Sequence, residues 1–143
     1  MPSTSLVRQL MQFMTKERGF DTVMKGLRVV SAGNGNCVCE LTVTEDEQNR
    51  GGSLHGGMTA TLVDVVSTCA LMTTERQVAG VSVDMNITYM KGAKVGSEIV
   101  IDAKTLRCGS TLAFLSVDIT HKADGTFVAQ GRHTKFIGSK SSK

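Results

Sequence analysis

Apolar residues open the chain at the spacing of one helix face. Leu6, Val7, Leu10, Met11 and Met14 fall on a single stripe, which predicts an amphipathic helix over 5–17. Gly19 ends that pattern, and beyond it the period shortens to two. Segments 27–32 and 37–44 read as strands joined by Gly33-Asn34-Gly35-Asn36, residue types that accept the positive φ of a tight hairpin. In the second run Cys37, Cys39, Leu41 and Val43 alternate with Val38, Glu40, Thr42 and Thr44. A glycine-rich link, 49–57, leads into 58–74, the one long helical segment in mid-chain. Four more strands follow, at 81–90, 98–106, 111–121 and 126–137, punctuated by Gly92, Gly96, Cys108-Gly109-Ser110 and Ala123-Asp124-Gly125. In the first of these, Val81, Val83, Met85, Ile87 and Tyr89 face one way and Ser82, Asp84, Asn86 and Thr88 the other. Residues 1–4 and 138–143 read as frayed ends of a single domain spanning 1–143.

This order of elements, with consecutive strands close enough for hairpins, predicts a largely antiparallel sheet. Such a sheet has an apolar face to cover, and only helix 58–74 is long enough to cover it. Met58, Ala60, Leu62, Val63, Val65, Val66, Cys69, Ala70, Leu71 and Met72 make that helix apolar on nearly every side. A helix apolar all round is buried all round, by a wrapped sheet or between subunits. The expected class is α+β: an antiparallel six-stranded sheet curled around one long central helix, with an N-terminal amphipathic helix.

Composition narrows the function classes. At 143 residues, 41% apolar and 20% charged, the chain reads as one globular domain. A net charge of +3 is too small and scattered for a nucleic-acid partner, but suits a small anionic ligand. No apolar run approaches the roughly 20 residues of a membrane span. The interleaved polar residues of the first helix exclude a secretory signal. Cys37, Cys39, Cys69 and Cys108 read as free thiols in a reducing compartment, since alternation along a strand is wrong for a zinc knuckle. No metal is expected.

The chemistry concentrates at the start of the mid-chain helix. Asp64 is the only charged side chain between Met58 and Thr74. Aspartate is poorly suited to a helix interior, and burying it unpaired costs several kcal/mol. It lies either on an exposed seam or where chemistry needs it. Just upstream, His55-Gly56-Gly57 opens the same helix, whose first backbone N–H groups are unpaired and carry partial positive charge. Glycines there allow close approach of a substrate, as an oxyanion hole requires, and the Gly56 N–H is the candidate donor. Eight residues separate Gly56 from Asp64, about 12 Å along a helix. If both act on one carbonyl they come from two chains, related by a two-fold axis.

The run from Asn49 through Leu54-His55-Gly56-Gly57-Met58 to Asp64 resembles the HGG-x-x-x-x-x-x-D signature of hotdog-fold thioesterases of the phenylacetate and hydroxybenzoyl-CoA type. Gly80-Val81-Ser82-Val83-Asp84-Met85-Asn86-Ile87-Thr88-Tyr89-Met90 and Ala129-Gln130-Gly131-Arg132-His133-Thr134 extend the similarity to vertebrate members over essentially the whole chain. The resemblance implies a homotetramer of two dimers that hydrolyses medium- to long-chain fatty acyl-CoA, with no cofactor beyond the coenzyme A of substrate and product. It implies Asp64 as nucleophile or general base and the Gly56 N–H and Asn49 amide as polarising donors. His55 would orient the loop and Ser82 the attacking water. By residue type alone Asn49 is equally a turn residue, His55 a buried hydrogen-bonder and Ser82 an ordinary strand serine.

Coenzyme A would lie along Asp84, Tyr89, Met90, Lys91, Gly92, Ala93 and Lys94, and along Arg107, Cys108, Gly109, Ser110, Thr111 and Leu112. Lys91, Lys94 and Arg107 suit phosphates there, although cations at turns are commonly just solvated. Gly92 stands where relatives usually carry proline, which predicts a looser turn. The resemblance also implies a phosphatidylcholine transfer protein as partner, and a cytoplasmic location with mitochondrial association as the alternative. Two other readings stand beside it. A hotdog hydratase would need a His/Asp pair at the substrate, and none is evident around His55. A non-catalytic acyl-CoA or lipid-protein interaction module would have no use for a costly helix carboxylate.

Overall fold

A computed structural model describes residues 3–138. Its elements are α1 (Thr4–Lys16), β1 (Arg28–Gly33), β2 (Asn36–Thr42), α2 (Gly56–Met72), β3 (Val81–Tyr89), β4 (Glu98–Cys108), β5 (Leu112–His121) and β6 (Phe127–Phe136). Short 3-10 turns at Phe20–Met24 and Glu45–Glu47 complete the chain. Every expected helix and strand is present, with bounds displaced by at most two residues. Of the expected frayed ends, Thr4 already belongs to α1, and residues 1–2 and 139–143 lie outside the described residues.

The six strands form one antiparallel sheet in the order β1-β2-β4-β5-β6-β3. Asn34 and Gly35, at φ 53° and 81°, make the β1–β2 hairpin that their residue types predict. Cys37, Cys39, Leu41 and Val43 turn inward and are buried, together with Ile99, Ile101 and Ala103 of β4 and Val117 and Ile119 of β5. Leu62, Val63, Val66 and Ala70 of α2 fill the concave side of the sheet. Where α2 crosses β6, Gly131 leaves room for it: a Cβ there would lie 2.7 Å from Val63 Cγ1. A strand glycine of this kind marks close approach of two elements. At the other edge α1 buries Val7 and Met11, while Arg8 Nε donates to the Val29 carbonyl at 3.0 Å. All four cysteines are free, and burial pushes the Cys69 thiol up to about 12, which leaves it unreactive.

Within one chain the sheet covers the central helix only in part, which leaves the other expected arrangement, burial between subunits, open for the remainder. Ala60, Thr61, Asp64, Val65, Thr68 and Met72 form a half-buried seam, along which Val65 still packs against the core and Met72 lies beside α1. Strand β3 departs from simple alternation. It follows α2, crosses to the far edge of the sheet and pairs only with β6. Ser82 lies opposite Lys135 and Asp84 opposite Thr134, so Val83 is an extra residue in a β-bulge. The bulge reverses the parity of the strand. Ser82 therefore shares the helix-facing side with Met85, Ile87 and Tyr89, not the outer side with Asp84 and Asn86. Val81 and Val83, expected to share a face with Met85, Ile87 and Tyr89, are 67% and 60% exposed.

Candidate active site

The start of α2 is built by a chain of local hydrogen bonds. Glu47 Oε1 accepts from the Thr44 N–H at 2.8 Å, which fixes the short turn before the glycine-rich link. The Glu47 carbonyl then accepts from the His55 N–H at 2.8 Å. His55 caps the helix, its Nδ1 accepting from the Gly57 N–H at 2.8 Å. An imidazole that accepts at Nδ1 is neutral and carries its proton on Nε2. Asn49 is, as its type suggested, a turn residue: its Oδ1 accepts from the Gly51 and Ser53 N–H groups at 2.9 and 3.1 Å. With its oxygen committed, the Asn49 side chain offers its NH2 as a donor. Among the described residues the Gly56 N–H has no protein acceptor, as the first N–H of a helix should not.

Two clefts meet at this turn. One, of about 360 Å³, is lined by Asn49, Gly56, Tyr89, Met90, Lys91 and Gly92 and carries backbone donors and a cation. Tyr89 Oη closes its wall by donating to the Gly56 carbonyl at 2.9 Å. The other, of about 270 Å³, lies beside His55 and Gly57 and is mainly apolar, with Phe20, Val23 and Met58 in its lining. A molecule crossing the His55-Gly56-Gly57 turn would thus pass from a mixed surface bearing Lys91 to a mainly apolar one bordered by Asp46 and Glu47.

Asp64 sits two turns along α2, on the half-buried seam. Its carbonyl accepts from Ser67 Oγ at 3.1 Å and Thr68 Oγ1 at 2.8 Å, while its carboxylate is left free of protein hydrogen bonds among the described residues. Behind it stand two groups that sequence reasoning did not single out. His133, 1% exposed, bridges Ser67 Oγ at 2.8 Å and Ser82 Oγ at 2.7 Å. Burial holds its imidazole below the usual range, against the pull of Asp64. Lys135 is buried as well and donates from Nζ to Thr68 Oγ1 at 2.6 Å. Burial lowers it too, and Asp64 again opposes the shift. Alternation along β6 places both side chains inward; their partners come from α2 and β3, which a one-dimensional pattern does not join.

The candidate residues therefore form two groups in one chain. Asn49, His55, Gly56, Tyr89, Met90, Lys91, Gly92 and Ala93 gather at the start of α2, where Lys94 also bridges to Ser53. Asp64 and Ser82 lie about two turns further on, with Asp84 on the outer face of β3. The hairpin 107–112 belongs to neither. Cys108, Gly109 and Ser110 border a separate cleft with Thr74, Glu75 and Arg76, just past the C-terminal end of α2. Arg76 Nη1 donates to the Gly109 and Ser110 carbonyls, both at 3.2 Å, and its Nη2 to those of Ile137 and Gly138. The two segments assigned to coenzyme A thus stand at opposite ends of a 17-residue helix.

Comparison with known proteins gives one answer. Residues 51–128 match the model of the thioesterase superfamily. Human acyl-coenzyme A thioesterase 13 is 54% identical over 136 residues, covering 95% of this chain and 97% of the relative. The crystal structure of zebrafish thioesterase superfamily member 2 superposes with a TM-score of 0.95 at 54% identity, covering 96% of this chain and all of that one. At 23% identity a hypothetical thioesterase from Streptococcus pneumoniae, solved with coenzyme A, shares the fold with a TM-score of 0.80, covering 94% and 98% of the two chains. A six-stranded antiparallel sheet around α2, with His55-Gly56-Gly57 at its start, is the hotdog architecture, and the chain belongs to the thioesterase superfamily.

Proposed function

We propose that the protein hydrolyses medium- to long-chain fatty acyl-CoA to a free fatty acid and coenzyme A. The observation that carries this is the uncommitted Gly56 N–H, which lines one cleft with Asn49 and Lys91, at the boundary with a mainly apolar cleft. A thioester carbonyl held by that N–H and the Asn49 amide directs its acyl chain toward Phe20, Val23 and Met58. Its pantetheine and phosphates run toward Tyr89 and Lys91. Developing negative charge on that oxygen is stabilised by donors that need no reorganisation.

Asp64 of the opposite subunit removes a proton from water, Ser82 orients that water, and its oxygen adds to the carbonyl carbon. Collapse breaks the C–S bond; the thiolate leaves, and the carboxyl group keeps the water oxygen. The free edge of β3 supports this assembly. The Ser82 end of that strand lies beside Ser67 and the Tyr89 end beside Gly56, so two β3 edges meeting antiparallel across a two-fold axis bring opposite half-sites together. The same operation carries hairpin 107–112 of one subunit toward the cleft of the other. The resemblance extends the dimer to a tetramer of two dimers. A phosphatidylcholine transfer protein as partner and a cytoplasmic or mitochondria-associated location rest on that resemblance alone.

Thiol release from palmitoyl-CoA tests the reading. The wild type is expected to turn over, and Asp64→Asn to lose at least about a hundredfold in rate while still binding substrate. Unchanged hydrolysis in the variant removes Asp64 from the mechanism. Binding without thiol release in the wild type makes the protein an acyl-CoA-binding module. His133 does not revive a hydratase, because both of its ring nitrogens are already bonded to serines.

A further inference from the structure

The bulge at Val83 has one chemical product: it turns Ser82 toward a buried histidine. His133 lies between Ser67 on α2 and Ser82 on β3, within hydrogen-bond distance of both. Each serine has one proton to give and the neutral imidazole has one. Two arrangements of these three protons satisfy the distances. In the first, His133 Nδ1–H donates to Ser67 Oγ, Ser67 donates to the Asp64 carbonyl, and Ser82 donates to His133 Nε2. In the second, Ser67 donates to Nδ1, Nε2–H donates to Ser82, and the Ser82 proton has no protein acceptor among the described residues. The first pairs every proton within the protein and keeps the bond from the buried Ser67 to the Asp64 carbonyl, whereas the second gives up that bond and leaves the proton of the exposed Ser82 to solvent.

We infer that His133 is a positioning residue which, held as the Nδ1–H tautomer by Ser67, draws the Ser82 proton inward and leaves the Ser82 oxygen as an acceptor toward the reacting water. This rests on the water-attack reading above. A water that gives one hydrogen to Asp64 and the other to Ser82 presents its lone pair to the carbonyl. With Ser82 reversed, a second donor would face that water and turn the lone pair away. The charged groups around His133 are Asp64 on α2, Lys135 on β6 and Asp84 on β3. Burial outweighs the two carboxylates, so the imidazole keeps the neutral form the relay requires.

Nitrogen-15 NMR of histidine-labelled wild-type protein at neutral pH reads the tautomer directly. Protonated Nδ1 with bare Nε2 at His133 is expected; protonated Nε2 overturns the inference, whatever the mutants do. A pair of variants supplies the kinetic test. The amide NH2 of His133→Asn overlays Nδ1 and keeps the Ser67 bond while losing Ser82. The longer amide of His133→Gln reaches Ser82 and accepts its proton. Hydrolysis is expected to fall on the order of tenfold in His133→Asn and to be largely restored in His133→Gln. Adding Ser82→Ala to His133→Asn should cost nothing more. Equal losses in the two variants, or full additivity with Ser82→Ala, would show that His133 serves the core only. Should Asp64→Asn leave hydrolysis unchanged, the mechanism fails while the tautomer result stands on its own.

Discussion

Tyr89 Oη donates to the carbonyl of Gly56 at 2.9 Å, tying the last residue of β3 to the first of α2. That bond couples the free sheet edge to the peptide whose N–H faces the cleft. Tyr89→Phe is expected to cost about 0.5–1 kcal/mol in stability, at the low end because the bond is exposed. The larger effect should be a several-fold fall in thioester turnover as the Gly56 peptide loses its anchor. Urea unfolding and steady-state thiol release on the same preparation check both.

Sharing of the site between chains is tested by mixing inactive variants. Asp64→Asn and Asn49→Ala damage different half-sites. In a mixed dimer one site carries both lesions and the other carries neither. Unfolding and refolding equal amounts together is expected to restore about a quarter of wild-type activity, the statistical share of intact sites. No recovery would mean that each site is built within one chain.

Packing of α2 on β6 admits no methyl group at Gly131. Gly131→Ala is expected to destabilise by about 1–3 kcal/mol, the usual cost of overpacking a core. Val63→Ala removes the atoms in the way, so the double variant should be more stable than the sum of the single losses. Denaturant midpoints of the four proteins provide the cycle.

Acid should weaken the fold through His133. Burial holds the native imidazole below its ordinary 6.5, so between that value and the lower native one the unfolded chain binds more protons. The contribution is complete above pH 6.5 and is lost as pH falls toward the native value. His133→Gln should flatten the slope of stability against pH in that window. Urea titrations from neutrality to about pH 5 measure the difference.

Arg76 holds the 107–112 hairpin and the end of β6 through four carbonyls. Arg76→Ala is expected to speed amide exchange at Gly109 and Ile137, whose N–H groups bond to Leu112 and Thr111. If the hairpin reaches coenzyme A from the neighbouring subunit, KM should rise several-fold with little change in kcat. Exchange monitored by mass spectrometry, alongside kinetics, separates the two effects.

How much of this was legible follows from what each signal encodes. The Asn34-Gly35 turn and the Cys37, Cys39, Leu41 alternation depend on neighbours in sequence, and they read true. The sheet order is not legible there, because nothing in α2 or β3 says that β3 crosses to β6. Strict alternation puts Ser82 on one face with Asp84 and Asn86 because a period of two has no way to represent the extra residue Val83. Ala60, Val65 and Met72 read as fully buried because hydrophobicity does not say how completely the sheet covers a helix face. In the candidate site, the helix start was visible as His55-Gly56-Gly57 and the carboxylate as an anomaly. His133 and Lys135 passed as ordinary inward strand positions, since their partners come from distant segments.

The missing side chain at Gly131 also has a mechanical meaning. Val63, which rests on it, is the residue before Asp64, and Gly131 is two residues before His133. Helix and strand touch here nearly backbone to side chain, with no long rotamer between them to yield. A contact with no flexible side chain between its partners resists sliding of α2 along the sheet, and Asp64 and His133 lie one and two residues from it.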